Sequence, residues 1–186
     1  MGSARSGRTT ATIDVMPTIY SIGHGTAPVA DFIAALRAAD VHTLADVRSF
    51  PGSRRNPQFG SATLAASLTS SGLAYVHLRG LGGRRKPLPD SPHTGLRVAA
   101  FRAYADHMAT DEFARDYAAL TALAHERTVA FMCAETLWWR CHRRLLADRL
   151  TADGWTVVHL RVGSAPQPHQ MTDAARVEQG HLDYGS

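Results

Sequence analysis

The chain has 186 residues, of which 45% are hydrophobic and 19% charged, a balance that suits a globular protein with a single core. No apolar run approaches the roughly 18 residues that span a bilayer, and residues 1–16 lack the apolar centre of a signal peptide, so a cytoplasmic protein is expected. The formal net charge of +4 is carried almost wholly by arginine, whose planar fork suits phosphate and base edges, although a GC-rich genome that writes Arg for Lys would leave the same bias.

Residues 1–16 are small and polar without periodicity and are expected to form a leader before a domain over 17–163. Thr18 to Gly25 then reads as a buried strand ending in a glycine-flanked turn. Pro28 opens a helix on which Val29, Phe32, Ile33 and Leu36 recur at helical spacing. Alternation from His42 to Phe50 predicts a second strand, broken by Pro51 and Gly52. A polar loop leads to a helix over Ser61 to Ser70, stopped by Gly72. Leu73 to Leu78 predicts a third strand, followed by a Gly-, Pro- and Arg-rich loop of the length found in lids.

Helices are expected over Leu96 to Met108 and Asp111 to His125, with Asp111 as the cap of the second. Thr128 to Cys133 reads as a buried strand, the stretch from Cys141 to Asp153 as a helix, and Trp155 to Val162 as a last strand. The polar tail 164–186 is expected to pack loosely, with one short helix at most. Strands alternating with helices predict a single-domain, three-layer α/β sandwich on a mostly parallel sheet of about five strands. The loops after its strands are where such a fold binds ligands.

The densest chemistry lies in Phe131 to Arg144, FMCAETLWWRCHRR, which holds both cysteines. Two cysteines are too few for a disulfide framework and read as reduced thiols or metal ligands. Cys133 could be a nucleophile favoured by Arg143, Arg144 or a helix amino terminus, but the carboxylate of Glu135 opposes its ionisation. A tyrosine-phosphatase loop would need arginine at position 139, which is Trp139. Glu135 with His24 or His142 could instead be an acid and base pair, with the cysteines structural. Cys133, Cys141 and His142, with His24 as a further candidate, are also legitimate zinc or iron ligands, although the Cys-x7-Cys-His spacing matches no standard finger.

The remaining candidates are anion and base contacts. Asp46 and Arg48, two apart on a strand, share a face, so the carboxylate would hold the guanidinium. Arg54, Arg55 and Asn56 sit in a donor-rich loop beside Phe59, which could stack on a base. His24 lies between two glycines that imply a close approach. Gly80, Gly82, Gly83, Arg84 and Arg85 could cradle an anion but lack a phosphate-loop consensus. Trp138 and Trp139 could be a stacking platform or a cover for the core.

Four motifs in order, SIGHG at 21–25, DVRSFPGSRRNPQF at 46–59, LRGLGGRR at 78–85 and MCAE with CHRRLLA at 132–147, together resemble the DUF488 family. The resemblance covers most of Pro17 to Val162 and implies a fold and a site without a reaction. The expected function is that of an enzyme acting on a nucleotide, a nucleobase or nucleic acid. Asp46, Arg48, Arg54, Arg55, Asn56, Phe59, Arg84 and Arg143 would hold the substrate, and His24, Cys133, Glu135 and His142 would do the chemistry. A cysteine-dependent sulfur- or phosphoryl-transfer enzyme and a non-catalytic nucleic-acid-binding module are the alternatives.

Overall fold

A computed structural model describes residues 17–52 and 54–185, so the leader expected over 1–16 lies outside the described residues. The centre of the fold is a six-stranded sheet in the order β3-β2-β4-β1-β5-β6. Strands β1 (Thr18–Gly23), β2 (Thr43–Asp46), β3 (Ala74–His77), β4 (Val129–Cys133) and β5 (Thr156–Arg161) run parallel, and β6 (Ser164–Pro168) joins antiparallel at the edge. A parallel strand is covered on both faces, which explains the unbroken burial of Val129 to Met132.

Side-chain alternation along those strands feeds two cores. One face carries Ile22, Leu44, Ala130 and Met132 under α1 (Val29–Ala38) and α2 (Ser61–Thr69), through Phe32, Ile33, Leu36, Leu64 and Leu68. The other carries Ile19, Ala45, Phe131 and Val157 under α3 (Ala99–His107), α4 (Asp111–Glu126) and α5 (Arg143–Ala152). The three-layer α/β/α arrangement follows directly from this period-two division of apolar residues.

Three local expectations are corrected. The α4 cap is Thr110, whose hydroxyl accepts from Phe113 N, and Asp111 is the first helical residue. Strand β2 stops at Asp46 rather than Phe50, because the Arg48 amide turns back to the Asp46 carboxylate at 3.0 Å. The tail expected to be loose over 164–186, with one short helix at most, forms strands over its described residues 164–185. Edge strand β6 is exposed throughout and tolerates Pro166 and Pro168, while β7 (Arg176–Glu178) and β8 (His181–Asp183) make a hairpin. Leu182 and Tyr184 return to the core, and Tyr184 donates to Asp148 of α5 at 3.0 Å. Among the described residues no helix is long and apolar enough to cross a membrane.

Candidate active site

The carboxyl ends of β1, β2, β3 and β4 bring His24, Asp46 to Arg48, His77 and Cys133 to one edge of the sheet. Two clefts open there. The first, about 450 Å3, is lined by Phe50, Arg84, Cys133, Glu135, Arg140 and His142, among others. The second, about 430 Å3, is lined by His24, Phe50, Arg54, Arg55, Asn56 and Arg84, among others. Arg48, Phe50, Arg84 and Ala134 line both, so the clefts adjoin. Together their walls carry Arg48, Arg54, Arg55, Arg84 and Arg140 against a single carboxylate, that of Glu135.

The Cys/His cluster sits in the first cleft. Beyond Cys133 the chain folds back through a short turn at Trp138–Arg140 and enters α5, which returns Cys141 and His142 to the end of β4. His142 Nδ1 lies 3.9 Å from Cys133 Sγ and 3.5 Å from Cys141 Sγ. These three donor atoms all lie within 4.8 Å of one another, close enough to hold a metal ion. The other ring nitrogen of His142, Nε2, is buried without a protein partner. The ring packs so closely over Gly83 that a side chain there would run into it. The two thiols share their protons unequally. A hydrogen bond to Cys141, with burial, pushes the Cys133 thiol well above the usual thiol range. Burial also opposes ionisation of Cys141, but the bond from Cys133, His142 and Arg143 outweigh it and bring that thiol well below the range.

The second cleft is built on a buried clamp. Asp46, fully buried, accepts from Arg48 Nε at 2.9 Å, from Arg48 Nη2 at 2.6 Å and from the Tyr75 hydroxyl at 2.8 Å. Arg48 Nη2 also donates to Phe59 O at 2.9 Å, and His77 Nε2 donates to Arg48 O at 2.8 Å. Burial opposes the Arg48 charge, and the Asp46 carboxylate more than offsets it. His24 completes the clamp. Its Nδ1 donates to Gly25 O at 2.9 Å, which leaves Nε2 to accept from Arg48 Nη1 at 3.3 Å. Burial, then the Arg48 charge, lowers its pKa and keeps the ring neutral.

Several predicted site residues take other roles. Asp46 is a holder of Arg48, sealed from the clefts' solvent. Phe59 is fully buried, stacked on His24 at 4.1 Å and edge-on to Phe32, so it offers no face to a base. It precedes the Gly60 cap of α2 and shares a core with Leu64, the pattern of a hydrophobic staple, which is the sequence signal that could have placed it inside. The exposed aromatic of this loop is Phe50, 59% accessible, with the guanidinium groups of Arg79 and Arg84 within 6 Å of its ring.

Arg143 is 1% exposed and cannot meet a substrate. It donates to Ser21 Oγ at 3.0 Å and to the carbonyls of Glu135 and Thr136, bracing the loop after β4 against β1. The close approach implied by the glycines around His24 is made by that same loop. A side chain on Gly23 would strike the Glu135 carbonyl, and Gly25, at φ +50°, lies against Thr136. Glu135 itself is exposed, and its carboxylate accepts from Leu137 N at 3.2 Å. The Gly80–Arg85 loop is no anion cradle. The Gly80 amide goes to Asp116, the Gly82 amide to Arg79 O and the Arg85 amide to Gly83 O, while the Arg85 guanidinium pairs with Glu112 at 2.9 Å. Trp138 covers the core, stacked on His159 at 4.1 Å, and Trp139 is 41% accessible.

Arg54, Arg55 and Arg84 are exposed, and none of them forms an ion pair among the described residues. Residues 28–150 match the family described as a domain of unknown function, DUF488. No curated protein and no solved structure matches the chain.

Proposed function

The chain belongs to the DUF488 family, a membership that brings no reaction with it, and from its site we propose that it is an enzyme acting on a nucleotide, a nucleobase or nucleic acid. The observation that carries this reading is the joined cleft, where five arginines and an exposed phenylalanine surround the way to a Cys/His cluster. Arg54, Arg55 and Arg84 take phosphate oxygens, for which a guanidinium fork is the best geometric match. Arg48, held on Asp46 and His24, is a fixed donor whose side chain needs no reordering when a substrate arrives. Phe50 offers the ring face on which a base stacks.

The chemistry belongs to the end of the cleft at Cys133, Cys141 and His142, with a transition metal as the cofactor those donors accept. Glu135, on the same wall and open to solvent, is the group able to take or return a proton. His24 works through Arg48 and not as an acid or base, since both its nitrogens are engaged. Hydrolysis and group transfer are both open to such a site.

The test is binding, read by fluorescence anisotropy of labelled oligonucleotides and by competition with mononucleotides. Arg54→Ala with Arg55→Ala is expected to weaken binding roughly tenfold to a hundredfold, and to flatten the logarithmic salt dependence by about 0.7 for each single-strand phosphate that no longer meets an arginine. Affinity for nucleotides and for single- and double-stranded nucleic acid that is unchanged in the double variant would reject the reading. Phe50→Ala should cost about 1–3 kcal/mol if a base stacks there, and nothing if only phosphate is held. Glu135→Gln abolishing turnover while sparing affinity would separate an enzyme from a binding module.

A further inference from the structure

We infer that Cys133, Cys141 and His142 form a zinc site with its fourth coordination position open to the arginine-lined cleft. The spacing of the donors is the first argument. Zinc bonds of about 2.3 Å to sulfur and 2.0–2.1 Å to nitrogen, at tetrahedral angles, place a sulfur and a nitrogen ligand roughly 3.5–3.6 Å apart. The observed separations, 3.5 Å from Cys141 and 3.9 Å from Cys133 to the same Nδ1, leave room for one such ion with little movement.

The state of His142 is the second argument. Among the described residues its Nδ1 has the two sulfurs as its hydrogen-bond partners, and its Nε2 is buried with no protein partner, so neither nitrogen has an oxygen or nitrogen partner there. Sulfur is a weak hydrogen-bond partner for an imidazole nitrogen, and a metal at Nδ1 gives that lone pair a strong one, leaving Nε2 to carry the proton of the neutral ring. The ring is packed against Gly83 on one side and lies 5.1 Å from the Tyr104 ring on another.

The setting decides the kind of site. Arg143 and the glycine at 23 fix the loop between Cys133 and Cys141, so the donors arrive from a braced scaffold and not from a mobile strand end. All three donor residues line the first cleft, beside Glu135, Arg84 and Arg140. Three protein ligands with a fourth position facing a cleft is the coordination of catalytic zinc, whereas structural zinc closes all four positions with protein. Two sulfurs and one imidazole select zinc over magnesium or calcium, which take oxygen ligands. On binding, any proton still on either sulfur leaves to solvent, and water fills the open position; zinc bound by two thiolates and one neutral imidazole carries no net charge. Only the role of that position, to receive a substrate oxygen held by Arg84 and its neighbours, rests on the nucleotide reading.

The experiment is metal analysis of the full chain purified under reducing conditions, followed by zinc removal and titration with cobalt(II). One zinc per chain is expected, as is a cobalt spectrum with thiolate charge transfer and the intense d–d bands of tetrahedral coordination. Cys133→Ser, Cys141→Ser and His142→Ala should each weaken zinc at least a hundredfold, measured against a chromophoric chelator, while Glu135→Gln keeps the metal. The wild-type cobalt spectrum needs no variant, so a substitution that fails to fold leaves the test intact. A reduced wild-type protein that neither carries nor takes up zinc or cobalt overturns the inference, as does zinc binding indifferent to all three substitutions. Stoichiometric iron in place of zinc overturns the identity of the ion. Metal-free protein that binds oligonucleotides would reject zinc alone, and zinc-loaded protein that binds no nucleotide would reject the substrate reading alone.

Discussion

Asp46→Ala is expected to lower the free energy of unfolding by roughly 3–5 kcal/mol, the cost typical of removing one partner from a buried ion pair. Asp46 is fully buried and Arg48 is 5% exposed, so the truncation leaves a largely buried guanidinium without its counter-charge. Three donors from Arg48 and the Tyr75 hydroxyl lose their acceptor together. Urea unfolding followed by circular dichroism reads the loss as a shift in midpoint. The matched apolar pair Asp46→Leu with Arg48→Met should recover most of it, because neither charge is then left alone. A loss below about 1 kcal/mol in Asp46→Ala would mean that the clamp is not what holds the end of β2. Recovery of stability without recovery of nucleotide binding would place the function of the clamp in Arg48 itself.

Stability should fall steeply below pH 6.5, with His159 as a principal cause. Burial, then the charges of His169 and Arg143, push its pKa down to about 3, against 6.5 in an unfolded chain. Above pH 6.5 the ring is neutral in both states and contributes no pH dependence. As pH falls, the unfolded chain takes up a proton that the folded chain refuses, so stability is lost progressively until about pH 3, by up to roughly 4–5 kcal/mol. The folded ring is fixed by what surrounds it. Asp148 accepts from His169 Nε2 at 2.9 Å, His169 Nδ1 and His159 Nε2 share a hydrogen bond of 2.9 Å, and Trp138 lies flat on the ring. His159→Phe keeps the stack and removes the proton site. Unfolding free energies from urea titrations at pH 7 and pH 4.5 should differ by about 2–3 kcal/mol less in His159→Phe than in the parent protein. Equal differences in the two proteins would show that carboxylates alone drive the acid loss.

The alternation of strands and helices was legible because each core-facing residue obeys a local period. Val29, Phe32, Ile33 and Leu36 announce α1, and the unbroken run before Cys133 announces a strand covered on both sides. The convergence of four motifs on one sheet edge followed from parallel topology alone. What stayed hidden depends on contacts between distant segments. Phe50 and Phe59 flank the same arginines in sequence, and only the depth of the α2 core separates the exposed ring from the buried one. Arg143 resembles its neighbours Arg140 and Arg144, yet its position on the inward face of α5 turns it to Ser21. The meeting of Cys133 with Cys141 and His142 was visible as a list of ligand types, but the spacing fitted no finger, because the intervening loop is shaped by its contacts with β1 and not by its own length. The tail hid its strands behind two prolines, and Tyr184 became a core residue only through a carboxylate on another element.

Strand β1 comes first in the chain yet lies inside the sheet, between β4 and β5. Tyr20 pairs with Ala130 and Thr18 with Thr156, so both of its neighbours are supplied from the far half of the sequence. Loop-closure entropy must be met before either ladder rewards it, which makes this a slow-folding topology. Until then an apolar strand waits with two open edges, a template for the same strand in another copy. His24 and the loop it leans on can come together only when that wait ends, since the bond from His24 N to Cys133 O is itself an extension of the β1–β4 ladder. Aggregation on synthesis and assembly of the candidate site are thus competing fates of the same six residues.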